Sequence, residues 1–183
     1  MSQYFDWNPV LKDIPDKENK TILELGCGKG TKFLVRDFGQ VISWETAHND
    51  TWWQHSQRDY GKEDNWRGYF YDHAHWGFDT VDKIIAKSKG KNRSDTSALD
   101  KYWAALIEEI DMSTIDVAFV DQGFHQRGET VMKFIELNIP YIFWHDTNAA
   151  QAYGYNKMDI PPRYETVRTI KGQGTKLIRL VSG

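Results

Sequence analysis

Residues 21–31, TILELGCGKGT, constrain this chain more than any other stretch. A short β-rich run enters glycines at 26, 28 and 30, and a helical pattern follows from about Thr31 to Asp37. A strand that breaks on glycines and continues as a helix begins a βαβ unit, so a parallel sheet is expected. The rest of the chain alternates in the same way. Gly39 stops the first helix, and QVISWE (40–45) reads as the second strand. NDTWWQHSQRDYG suits a helix capped by Asn49 or Asp50 and ended by Gly61, before a third strand at WRGYFYD (66–72). DTVDKIIAKS and SALDKYWAALIEEI are amphipathic helix patterns on either side of a polar, basic loop, KSKGKNRSD. The second helix carries Leu99, Trp103, Leu106, Ile107 and Ile110 on one stripe. DVAFVD (116–121) and IPYIFWHD (139–146) are apolar strands on either side of the helical GETVMKFIELN. That helix has apolar residues at 131, 132, 134, 135 and 137. Finally, RYETVRTI and TKLIRLV flank KGQG as a hairpin. These elements predict an α/β chain with a mostly parallel seven-stranded sheet, in which the C-terminal hairpin supplies one antiparallel strand.

Composition narrows the function. A length of 183 residues suits one domain, here 1–183 with a helical and basic-loop insertion at about 79–115. The net charge of -3 gives no basic footprint for nucleic acid or an anionic membrane, and neither partner is expected. No apolar run approaches the ~18 residues of a membrane helix. The N-terminus, MSQYFDWNPVLKD, lacks the layout of a signal peptide. The single cysteine, Cys27, excludes an intrachain disulfide framework and fits a reducing compartment, so a cytoplasmic location is expected. Eight Trp, nine Tyr and nine Phe supply large areas for a core, and a minority of them can line a pocket for a flat ligand.

Three templates compete for the glycine loop. A phosphate-binding G-x-x-x-x-G-K-[ST] has no match in this stretch. The dinucleotide fingerprint G-x-G-x-x-G would use Gly26 and Gly28, but its third glycine falls on Thr31. An acidic residue followed by G-x-G-x-G is satisfied by Glu24, Gly26, Gly28 and Gly30. ILELGCGKGT thus resembles the first motif of Rossmann-like S-adenosylmethionine-dependent methyltransferases. The resemblance implies a three-layer Rossmann-like sandwich and S-adenosylmethionine as cofactor, with Gly26, Cys27, Gly28 and Gly30 around it. Glycines let a backbone approach a ligand closely, and Glu24 can meet the cofactor's ammonium. Glu45 closes the next strand about twenty residues after the first glycine, where an acid can accept both ribose hydroxyls. Asp72, after the third strand, matches the position that contacts the adenine amino group in this family.

The acceptor side belongs to the later strands, because ligands of open α/β sheets bind at strand carboxyl ends. DVAFVDQGFHQRGETV and IPYIFWHDTN resemble the small-molecule and sugar O-methyltransferase branch of the family, strongest at the strand ends. The resemblance implies transfer to a hydroxyl of a small molecule or saccharide, with Asp121, His125 and Asp146 as catalytic candidates. His125 can serve as general base, since an imidazole titrates near working pH. Alternatively Asp121 and Asp146, with Asn148, can bind Mg2+ and lower the hydroxyl's pKa. The chain departs from the branch in reading DQG where that branch has DG, and in lacking a later acidic residue in the following helix. No asparagine- or aspartate-proline-proline-aromatic motif follows the fourth strand, which disfavours amino-group methylation. Trp76, Trp144, Tyr153, Tyr155 and Arg163 are candidate contributors to an acceptor pocket. Two other readings stay open: a protein that binds the S-adenosyl cofactor without transferring methyl, and an NAD-dependent oxidoreductase.

Overall fold

The computed structural model describes residues 7–46, 50–71, 97–122, 126–172 and 174–181. The strands are β1 Thr21–Leu25, β2 Gln40–Thr46, β3 Trp66–Tyr71, β4 Val117–Val120, β5 Tyr141–His145, β6 Tyr164–Ile170 and β7 Thr175–Leu180. The helices are α1 Thr31–Asp37, α2 Asp50–Tyr60, α3 Ser97–Glu109, α4 Arg127–Glu136 and the short α5 Ala150–Tyr153. All seven strands form one sheet in the order β3-β2-β1-β4-β5-β7-β6. The first five pair in parallel, and β7 runs antiparallel to both β5 and β6. The hairpin therefore contributes one reversed strand, as the sequence predicts.

Burial explains the strand patterns. β4 is buried at every position, and β1 and β5 at every position but the first. Strands covered on both faces read as continuous apolar runs. On one face Leu23, Leu25, Val120, Ile142 and Trp144 pack with residues of α3 and α4. The other face joins Ile22, Val41, Phe119 and Phe143 to Leu34 and Phe38 of the α1 region. Here the N-terminal 3-10 turn Asn8–Asp13 adds a cover, with Trp7, Val10, Leu11 and Ile14 all buried. Trp7 lies 5.0 Å from the Phe119 ring, which stacks on Phe143 at 4.3 Å.

Two helix faces differ from the sequence reading. Tyr102 of α3 is fully buried with Leu99, Leu106 and Ile110, whereas Ile107 is 50% exposed. Spacings of three, four and four residues put Tyr102 on the inward stripe and turn Ile107 outward. In the same way Val131, Phe134 and Ile135 of α4 are buried while Leu137 lies exposed past its end. The 147–163 stretch, whose sequence has little helical pattern, contains the turns Thr147–Ala149, α5 and Tyr155–Lys157. Asp72, Trp76 and the basic loop lie outside the described residues, as does His125. Among the described residues, no helix is long and apolar enough to cross a membrane.

Candidate functional site

The strand order reverses its course between β1 and β4, where an open α/β sheet leaves a crevice at the carboxyl ends. The glycine loop leaves β1 there. Gly26 takes φ +92, and its N–H donates to the Trp44 carbonyl at 2.9 Å. A Cβ at Gly26 would stand 2.6 Å from the Asp121 carbonyl oxygen, so only glycine lets this turn lie against the end of β4. Gly30 has a packing reason as well, since a Cβ there would meet the Trp7 ring at 2.5 Å. Gly28 has neither reason. Its φ is not positive, and a Cβ would find nothing nearer than Trp52 at 3.9 Å.

Two buried carboxyls hold this loop. Glu45, 1% exposed, accepts from the N–H of Cys27 at 2.9 Å and from its neighbour Thr46 at 2.8 Å. Glu24, also 1% exposed, accepts from Thr31 Oγ1 at 2.9 Å and Ser43 Oγ at 2.7 Å. Each hydroxyl in turn accepts an N–H: Gly28 donates to Thr31 Oγ1 at 3.0 Å, and Trp66 Nε1 to Ser43 Oγ at 3.0 Å. Burial pushes the Glu24 carboxyl up to about 8, against the hydrogen bonds from Ser43 and Thr31 that lower it. Burial likewise pushes Glu45 up to about 7, against the bonds from Thr46 and Cys27. The charge of Asp121 raises both further. Burial also raises the Cys27 thiol well above its usual range, so this cysteine is a packed, inert group.

The second half of the site stands at the ends of β4 and β5. Asp146 adopts a left-handed backbone, φ 58 and ψ 39, which turns the chain sharply after β5. Asp tolerates that conformation better than most residues. Asp121, His145 and Asp146 bring one donor atom each within 4.8 Å of one another. His145 Nδ1 lies 3.6 Å from Asp121 Oδ1 and 3.5 Å from Asp146 Oδ1. Arg127, the first residue of α4, reaches into the same space. Its Nη1 donates to Asp121 Oδ1 at 2.8 Å and to Asp146 Oδ2 at 3.0 Å. Its Nε donates to the Gln122 carbonyl at 2.8 Å, and its guanidinium lies 4.2 Å from the centre of the Tyr153 ring. Burial opposes the charge on Arg127, yet the charges of Asp121 and Asp146 hold its pKa above the ordinary value. Tyr155 donates from its hydroxyl to the His145 carbonyl at 2.9 Å, and burial raises its pKa.

The structure thus brings Glu24, Gly26, Cys27, Gly28, Gly30 and Glu45 to one side of the crevice and gathers Asp121 and Asp146 on the other. Asn148 is exposed on the turn that follows Asp146. Trp144 is 2% exposed and serves the core, and Arg163 bonds Asn138 Oδ1 and the Ile135 carbonyl. Sequence reasoning missed Arg127 and His145 as site residues. A signal existed for Arg127, the one arginine between the two strand-ending aspartates.

The sequence matches no family model and no curated protein. Solved structures do resemble it. The O-methyltransferase from Bacillus cereus in complex with SAH is 17% identical with a TM-score of 0.59, covering 100% of this chain and 82% of that one. The fibrillarin pre-rRNA processing protein of Methanococcus jannaschii is 12% identical with a TM-score of 0.59, covering 93% and 70%. At such identities the likeness is one of fold. The chain has the Rossmann-like fold of S-adenosylmethionine-dependent methyltransferases, with its mostly parallel seven-stranded sheet.

Proposed function

We propose that this protein is a methyltransferase that carries the methyl group of S-adenosylmethionine to a hydroxyl of a small molecule or saccharide. The observation that carries this reading is Gly28. Neither backbone conformation nor packing requires glycine there, since a Cβ would only touch the Trp52 ring at 3.9 Å, and in a loop held by Glu45 a missing side chain suits close approach of a ligand. When bound, the cofactor supplies a sulfonium methyl, which passes to the acceptor oxygen as the carbon–sulfur bond breaks and a neutral thioether is left.

The chain's own residues then have separate tasks. Glu45 retains acceptor capacity beyond its two backbone bonds, which suits the ribose hydroxyls. Glu24 works from below, holding Thr31 and through it Gly28, so that the loop keeps its shape. Asp72 would meet the adenine. In-line displacement needs mainly positioning, and a hydroxyl acceptor must also release a proton. Asp121 and Asp146 have side chains 31% and 24% exposed, open enough to bind a hydroxyl and take its proton, with His125 as the other candidate base.

The net charge of -3 favours a small acceptor over nucleic acid. RNA still belongs in the assay, because one similar structure is named as a pre-rRNA processing protein. The test is methyl transfer from labelled cofactor to sugars, catechols, nucleosides and RNA, beside titrations with SAH and NAD. Transfer to a sugar or catechol with SAH bound more tightly than NAD is the expected result. Tighter binding of NAD would overturn the reading. SAH binding without transfer to any acceptor would point to a cofactor-binding protein instead.

A further inference from the structure

We infer that Arg127 is a built-in cation that stands where a divalent metal would stand, bridging Asp121 and Asp146 and closing their cluster to metal ions. Asp121, His145 and Asp146 have the donor types and the proximity of a metal site. The space between the two carboxylates, however, already holds positive charge. One guanidinium nitrogen, Nη1, bonds both carboxylates, at 2.8 and 3.0 Å.

Arg127 is also fixed in place. Its side chain is 7% exposed, so it cannot swing into solvent as a surface arginine does. Nε is committed to the Gln122 carbonyl, and the planar group lies over Tyr153. Gly128 makes this cover possible. A Cβ there would come 2.8 Å from the backbone of Gly154, so glycine lets the first turn of α4 sit against the segment that carries Tyr153. A metal ion between the aspartates would meet the guanidinium at short range, and like charges repel. The remaining donors are poor for Mg2+: it wants several oxygens, whereas His145 offers nitrogen and Asn148 is exposed on the adjoining turn.

The consequence for the site is orientation. A charge-assisted bond from Arg127 fixes Asp121 Oδ1 and Asp146 Oδ2, leaving Asp121 Oδ2 for an acceptor while Asp146 Oδ1 faces His145 Nδ1 at 3.5 Å. Arg127 is thereby a positioning residue, acting through the two aspartates.

Mn2+ binding followed by electron paramagnetic resonance tests this without any assay of activity. The proteins are the wild type, Asp121→Asn, Arg127→Gln and the double variant Arg127→Gln with Asp146→Asn, each checked for folding by circular dichroism. The wild type should show no Mn2+ site that Asp121→Asn removes. Arg127→Gln should gain one site, at least ~10-fold tighter than any wild-type binding, and the double variant should lose it. An Asp121-dependent site in the wild type would overturn the inference, as would a folded Arg127→Gln protein that gains none. Should Arg127→Gln fail to fold, wild type against Asp121→Asn still decides, absence of the site supporting the inference and presence overturning it. Failure to find a methyl acceptor would leave these outcomes unchanged.

Discussion

Gly26 and Gly28 are two residues apart and are glycines for different reasons. Gly26 combines a left-handed φ of +92 with an approach to the Asp121 carbonyl that a Cβ would block, so Gly26→Ala should cost about 1–3 kcal/mol of stability. Gly28→Ala meets neither obstacle and should change stability by less than ~1 kcal/mol. The same substitution should weaken SAH binding at least ~10-fold if the ligand lies against that backbone. Chemical denaturation and calorimetric titration of both variants separate the two roles; equal SAH affinity in Gly28→Ala and wild type would remove the loop from the binding site. The buried carboxyl beneath the loop makes a different prediction. The folded-state pKa of Glu24, about 8, exceeds its ordinary value of 4.5, so the folded protein binds the proton more tightly than the unfolded chain. The stabilisation this supplies is complete below about 4.5 and is lost as pH rises towards 8. Glutamine cannot ionise. Unfolding at pH 5, 7 and 9 should therefore show Glu24→Gln gaining on the wild type as pH rises, by on the order of a few kcal/mol across the range. A constant difference between the two proteins would show that Glu24 is charged throughout.

Among the elements, those with both faces covered were the most legible. TILEL, VAFV and YIFWH are runs that only a buried strand explains at that length, and each forms within a residue or two of its expected bounds. Helix facing was harder to read, because a stripe predicted from side-chain type includes any apolar residue near the inward face. Ile107 shows the error: it is apolar and adjacent to Leu106, yet the helical rotation from Leu106 carries it to solvent. Leu106→Ala should accordingly cost about 2–5 kcal/mol, and Ile107→Lys should stay within about 0.5 kcal/mol of the wild type. Denaturant midpoints would reverse that assignment if Ile107→Lys proved the more damaging change. The site divides in the same manner. The place of Glu45 near the end of β2 was legible because one intervening helix fixes the separation of two parallel strand ends. Arg127 was not, since its bonds span β4 and β5 and depend on the turn that Asp146 makes in a left-handed conformation.

The molecule as a whole keeps the glycine loop and the aspartate cluster on opposite sides of its topological switch. β1 and β2 carry the glycine loop with Glu24 and Glu45, while β4 and β5 end in Asp121 and Asp146. The halves join through the main chain, where β1 pairs with β4 and Gly26 lies against the Asp121 carbonyl. Because that contact uses the main chain, changing the Asp121 carboxylate should leave the loop intact. Ligand linkage gives a way to see this. A ligand that binds only the folded state, at a hundred times its dissociation constant, stabilises by about 2.7 kcal/mol. In a chain of 183 residues this corresponds to a rise in Tm of roughly 5–11 °C. Saturating SAH should produce a rise of this size in the wild type and an equal one in Asp121→Asn, even though that variant starts from a lower Tm. Its methyl transfer should meanwhile fall at least ~100-fold if Asp121 takes the acceptor's proton. Loss of both the thermal shift and the transfer in Asp121→Asn would mean that the two halves share one site, and that the carboxylate at the end of β4 helps to hold the cofactor itself.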